Sequence, residues 1–452
     1  MSLRHGHNAA LRGLLSEAGM SAAELARNVN RLAAGEGLTL RYDRTTVAHW
    51  LSGSRPRDPV PQLVAEVLTR GIGRLVSVAE TGLAGARSPA SGDGPDENRA
   101  DPLLRLVTLA RADVDPVRRA RLARLVFRQH GVPGTDIRDM LETPGPGSLR
   151  AGIGGPDVQR VRFVTSQFAV GWPRYGGGHA RAALASYLGD DIGRLLVQPA
   201  PSAERRALLS AAAQLVHILG DMSADAGHQG LAQRYYLIAL DVAAGAGDSR
   251  TRAITLRAMS VQAVRLSALR YAADLADAAV TSATGQSGDL QAFVLAQRAY
   301  VRAVAGERRS AYRDLDDAES HLGSSAVRDD PFLRYPRAGF AYRKGHALHV
   351  LGDTEPALDA LRYAAGRRPL HEHRTRALSQ ARLTLVLLER GRVEEACDTG
   401  RLFGEEHRFL RSHRSSLMLR EIRARLTPYR RVPEAADLLQ RLAALTRTTP
   451  GP

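Results

Sequence analysis

A turn residue followed five positions later by an alanine recurs through the second half of this chain, and that recurrence leaves few folds open. Gly227/Ala232, Gly306/Ala311, Gly352/Ala357 and Gly391/Ala396 carry it, while Ser267/Ala272 and Arg430/Ala435 keep the register with the glycine replaced. Successive steps are about 39 to 46 residues, the period of helical hairpins stacked into a solenoid. A single hairpin cannot bury its apolar face alone, so the units must stack. Composition agrees: 44% of the residues are hydrophobic but only 5% aromatic, whereas sheets draw on β-branched and aromatic side chains. The expected class is all-α.

The start of the chain follows a different pattern. Asn8 can cap a helix whose Leu11, Leu14 and Leu15 share a face, with Gly19 ending it. Ser21 and Glu24 have the spacing of a capping box, and Leu25, Val29 and Leu32 then recur at helical intervals. Gly35 and Gly37 break that helix. Asp43 can cap the next, which stops at Gly53 with Pro56 beyond, and Pro59 to Thr69 reads as a further amphipathic helix. The expected organisation is a helix-turn-helix bundle over 1–83, a flexible linker over 84–101, and a helical connecting region over 102–200, with helical patterns at Leu103–Ala112 and Pro116–Phe127 and a disordered Gly/Pro-rich loop at 131–156. An α-solenoid then covers 201–446.

Net charge is +16, nearly all of it arginine, since Lys344 is the sole lysine. Such a field favours polyanions, although arginine spread along a long chain also simply solvates it. Residues 1–85 hold ten Arg against seven Asp plus Glu, so the excess is not concentrated at the start. Cys397 is the only cysteine, which excludes an intrachain disulfide and any multi-cysteine metal site. With no apolar run read as reaching the roughly 18 residues that span a bilayer and no signal-peptide core, a cytoplasmic protein without a membrane partner is expected.

Val47, Trp50 and Leu51 commit one face of the Asp43–Ser52 helix to the core, leaving Arg44, Thr45, Thr46, Ala48, His49 and Ser52 outward. A helix so arranged can enter a major groove. Thr45, Thr46 and His49 would meet base edges, Arg44 a base or phosphate, and Arg41, Tyr42, Arg55 and Arg57 the phosphate backbone of double-stranded DNA. The other reading keeps the same fold as a protein-contact module. Gly176-Gly177-Gly178-His179 reads as a flexible start to a helix, with an anion site at its free N–H groups as the alternative. His371, His373, His407 and His413 read as solvated surface, since two histidines two apart on a helix face away from each other. Gln233, Arg234, Tyr235, Arg257, Arg298, Tyr342 and Arg343 could line a concave groove for a peptide or small-molecule effector, while Tyr236 and Leu240 read as core. No catalytic, metal or cofactor motif is recognisable, so a non-enzyme without a cofactor is expected.

Two resemblances sharpen this. Leu11, Leu14, Leu15, Ala18, Gly19, Met20, Ser21, Glu24, Leu25 and Ala26, with Val47, Trp50, Gly53 and Pro56, resemble an Xre/Cro-like helix-turn-helix over about 60 residues. Gly345, Ala357, Leu361, Ala364 and Pro369, and earlier Gly220, Ala232, Tyr236 and Ala239, fall on tetratricopeptide positions. Tyr175 to His179 and Ala232 to Tyr236, with the repeats, are similar to streptomycete regulators that restrain antibiotic production and sporulation. The resemblance implies a DNA-binding, more often repressing, regulator, and because one short helix reads only a few base pairs, a homodimer that joins two readers is expected; the alternative is a repeat scaffold without direct DNA readout. Two departures stand out: a repeat step near 40 exceeds the roughly 34 of the standard unit, and about ten residues separate Leu32 from Asp43 where simple readers use three or four.

Overall fold

The computed structural model describes residues 7–35, 38–84, 101–129, 131, 153–323 and 335–448, and no strand occurs among them. Residues 85–100 of the expected linker and 132–152 of the Gly/Pro-rich loop lie outside the described residues. The architecture is an all-α N-terminal bundle joined to a helical solenoid.

The bundle consists of α1 (Ala9–Glu17), α2 (Ala22–Gly35), α3 (Arg44–Leu51) and α4 (Val60–Ile72). Asn8 explains its closure. Its side chain accepts from the Leu11 N–H at 2.9 Å and donates to the Thr81 carbonyl at 3.0 Å, while its own N–H donates to the Leu51 carbonyl at 2.9 Å. One residue thus ties the start of α1, the end of α3 and the last turn of the bundle. The capping box forms reciprocally: the Ser21 N–H donates to Glu24 at 2.8 Å, and the Glu24 N–H to the Ser21 hydroxyl at 3.2 Å.

After the bundle come α5 (Pro102–Val114), α6 (Pro116–Leu122), α7 (Gly155–Tyr175), α8 (Arg181–Tyr187) and α9 (Gly193–Leu196). Six hairpins follow: α10 (Ser202–Asp225) with α11 (Gln229–Ala246), α12 (Ser249–Arg265) with α13 (Leu269–Ser282), and α14 (Gly288–Val304) with α15 (Arg308–His321). The other three are α16 (Arg337–Val350) with α17 (Thr354–Arg367), α18 (His373–Glu389) with α19 (Val393–His407), and α20 (His413–Leu426) with α21 (Pro433–Thr448). The turn register read from sequence is visible in the backbone at five of the six positions, the exception being Arg430, whose φ is −58°. Gly227, Gly306, Gly352 and Gly391 have φ of 98°, 81°, 87° and 70°, and Ser267 adopts the same left-handed conformation at 60°. Within hairpins, glycine admits a large neighbour: a Cβ on Gly220 would lie 2.6 Å from the Tyr236 ring, and one on Gly345 would lie 2.7 Å from Leu361.

Three expectations change. Residues 102–200 are not a separate connector, because Leu106, Val158, Val161, Leu184 and Leu188 share one apolar core with Leu215, Leu219 and Tyr235 of the first hairpin. The helix expected over Pro116–Phe127 ends at Leu122, and the chain runs on without helix as far as Gln129. Adjacent side chains there point opposite ways: Val126 packs on the bundle core, while Phe127, fully buried, enters the solenoid core beside Tyr271. Lastly, α10 is long and apolar enough by composition to cross a membrane, contrary to the expectation that no such run occurs, yet 78% of its apolar 18-residue window is buried inside the protein.

Candidate nucleic-acid interface and central cavity

Asp43 starts α3 by accepting from the Thr46 N–H and hydroxyl, both at 2.8 Å. These donors hold its carboxyl below the usual aspartate range. Val47 and Trp50 enter the bundle core, and the ten-residue insertion is fixed by Asn30, whose amide exchanges hydrogen bonds with the Tyr42 backbone at 2.8 and 2.9 Å. The Tyr42 ring meets Trp50 edge-on at 5.2 Å.

Arg44, Thr45, Ala48, His49 and Ser52 are exposed, as are Arg41, Arg55 and Arg57 on the segments flanking α3. The solenoid does not cover this face. None of the four arginines has a carboxylate partner among the described residues, whereas Arg70 pairs with Glu66 at 2.7 Å and Arg74 with Glu17 and Glu80 at 2.9 Å, around and beyond the end of α4. Two expected contacts are rebalanced. Tyr42 is half-buried against Trp50, and the half-buried Thr46 already donates its hydroxyl to Asp43, so both position α3 as much as they present it.

The opposite side of the bundle docks on the solenoid. Arg70 donates to the Leu266 carbonyl at the turn after α12. Glu66, 1% exposed, accepts from the Gln129 N–H at 2.8 Å, and the Arg128 guanidinium donates to the Val76 carbonyl at 3.2 Å. A Cβ on Gly230 would lie 2.3 Å from the Leu125 carbonyl oxygen, so only glycine lets this connecting segment lie against α11. Bundle and repeats are therefore in direct contact.

The solenoid curls until its first hairpin meets its fifth. Asp225 at the end of α10 pairs with Arg374 of α18 at 2.7 Å and accepts from the Gly177 N–H at 2.8 Å, while the Gly178 N–H donates to the Arg411 carbonyl at 2.8 Å. The glycine run is thus neither a flexible helix start nor an anion site. Its N–H groups are taken, and a Cβ on Gly177 would lie 2.2 Å from the Met222 carbonyl oxygen.

Closure leaves a central cavity of about 310 Å³. Of the seven groove candidates, Arg257, Tyr342 and Arg343 line it. The others do not. Tyr235 is fully buried and donates to Asp113 at 2.9 Å; Gln233 is buried and accepts from the Arg128 N–H at 2.9 Å. Arg298 pairs with Asp314 at 2.8 Å, and Arg234 sits half-buried outside the lining. Arg265, Arg368, Arg374, Arg414, Trp172 and Phe293 complete the wall and escaped sequence reading, because they meet only once the superhelix closes. Tyr236, read as core, is buried but also touches the cavity.

Of the four histidines read as solvated, His371 is exposed as expected and the others are not. His407 is buried against the Ser415 hydroxyl at 2.7 Å and pushed down to about 4 by burial, and His373 contacts Glu406 at 2.7 Å.

Residues 11–84, spanning most of α1 and all of α2 to α4, match the family model described as the SP15 N-terminal domain. No curated protein matches the chain.

Proposed function

We propose that this chain is a cytoplasmic, sequence-specific DNA-binding regulator of the Xre/Cro-like type, more often a repressor, whose tetratricopeptide-like solenoid dimerises and senses an effector. The observation that carries the reading is the exposed charge around α3: Arg41, Arg44, Arg55 and Arg57 flank or start it with no carboxylate partner among the described residues, whereas Arg70 and Arg74 around the end of α4 are paired. Arg12, Arg27 and Arg31 on α1 and α2 add further exposed positive charge, likewise without a carboxylate partner among the described residues. Arginines so placed set register on phosphates, and Thr45, His49 and Ser52 read base edges. One eight-residue helix covers only a few base pairs, so a pair of readers on a dimer gives the affinity and half-site spacing that regulation needs. The resemblance to streptomycete regulators points to secondary metabolism or development as the process controlled.

Selection from a pool of random duplexes tests this with the full chain. A single enriched motif is expected, and T45A/H49A should flatten the sequence preference while non-specific binding persists. No enrichment over the starting pool would favour the protein-contact scaffold instead.

A further inference from the structure

Six arginines line the central cavity: Arg257, Arg265, Arg343, Arg368, Arg374 and Arg414. The acids in the lining are Asp221 and Asp225, and both are engaged, while Glu372 acts on Arg368 from outside the lining. Asp225 holds Arg374, and Asp221 accepts from the Tyr236 hydroxyl at 2.6 Å. Arg257, Arg265, Arg343, Arg368 and Arg414 have no carboxylate within ion-pair distance among the described residues. Arg343 is only 8% exposed and its Nε has no hydrogen-bond partner; the same holds for the Tyr335 hydroxyl, which is 8% exposed.

The field these groups create is visible in their neighbours. Burial alone would raise the Tyr342 hydroxyl, yet Arg414, Arg343, Arg382 and Arg368 together draw it below its ordinary value. Burial and then Arg343 push Arg257 down to about 9. Like charges crowded in a poorly solvated space repel, and the remedy that proteins use is a bound counter-charge. The cavity lies at the lower end of the about 300–1,000 Å³ that holds small molecules, too small for a duplex. Its donors are guanidinium forks, which match phosphate oxygens in pairs.

We infer that the central cavity is a binding site for a phosphorylated small molecule carrying two or more negative charges, held by Arg343, Arg368 and Arg414 with Arg257 and Arg265. Phe293, Tyr335 and Trp172 give the wall its apolar part. Arg265 is the last residue of α12, and the next carbonyl, that of Leu266, accepts from Arg70 of the bundle. A ligand drawn to Arg265 therefore acts one residue from the contact that seats the bundle. As an effector site this rests on the regulator reading; as a binding site it does not.

The test uses the full chain without DNA, so its failure would leave the DNA reading standing. Melting temperature and calorimetric affinity are measured with inorganic pyrophosphate, magnesium-free ATP and citrate, against chloride at matched ionic strength. Pyrophosphate and ATP should raise the melting temperature and chloride should not. R343Q and R414Q should each weaken pyrophosphate at least tenfold, while R118Q, on the exposed face of α6, binds as wild type. Ligand-free R414Q should melt no lower than wild type, because it relieves repulsion; a merely structural arginine would lower it. Tighter ATP than pyrophosphate assigns a nucleotide, and equal binding assigns the phosphate groups alone. No shift beyond chloride, citrate as tight as pyrophosphate, or wild-type affinity in both variants would overturn the assignment.

Discussion

Replacing Asp225 with asparagine removes one charge at the point where the superhelix closes, and its cost can be worked from the contacts. The carboxylate is 2% exposed; it accepts from Arg374 Nε at 2.8 Å and Nη2 at 2.7 Å, and from the Gly177 N–H at 2.8 Å. Asparagine keeps the shape but leaves Arg374, over the Trp172 ring at 4.4 Å, without a counter-charge. Breaking a buried pair in this way costs about 3–5 kcal/mol, which lowers the melting temperature of a large domain by roughly 6–20 °C. The pH dependence follows from the carboxyl itself. Burial would raise it, but Arg374 and the other donors hold it below the ordinary aspartate value. A depressed carboxyl stabilises the fold fully above its unfolded value, about 3.9, and loses that contribution only as pH falls through the folded value. Calorimetry of D225N against wild type should therefore show the full gap at pH 7 and at pH 5, closing only below pH 3.9. Hydrogen exchange should show the Gly177 and Gly178 amides losing protection in the variant. A gap under 1 kcal/mol at pH 7, or one already closed at pH 5, would refute the clasp.

Two further changes probe the repeats. Ser267 occupies a left-handed turn that its sister hairpins give to glycine, so Ser267→Gly should stabilise the solenoid by about 1 kcal/mol in a denaturant titration. The Cys397 thiol is buried and its pKa is raised by that burial, so it should resist alkylation at pH 8 in the folded protein and react on unfolding, as mass spectrometry can count.

The elements that repeat were legible because each obeys local physics: Ser21 and Glu24 cap at fixed spacing, and Gly352 and Gly391 mark turns where a side chain is disfavoured. Part of the cavity was legible too. Arg257, Tyr342 and Arg343, read from the repeats as groove residues, all line it. What stayed hidden depends on curvature. Arg374 and Asp225 lie 149 residues apart and meet only because the superhelix closes, and no periodicity encodes that angle. Phe127 was assigned to a helix because its apolar neighbours fit the helical period, whereas burial of Val126 and Phe127 on opposite sides selects a non-helical path. Tyr235 looked like a groove residue because its polar tip gave no sign of the buried Asp113 that satisfies it.

The central claim is that the arginines around α3 meet the phosphates of a duplex. Affinity for the selected DNA, measured by fluorescence anisotropy across a salt series, reads that contact directly. Four phosphate contacts give a logarithmic slope of about −3.6 for one reader and about −7 for a pair. The account predicts a wild-type slope in that range and a shallower one, by about 0.9 per reader, for each of R41Q, R44Q, R55Q and R57Q. A slope near zero, or a fourfold variant that keeps wild-type affinity and slope, would contradict it.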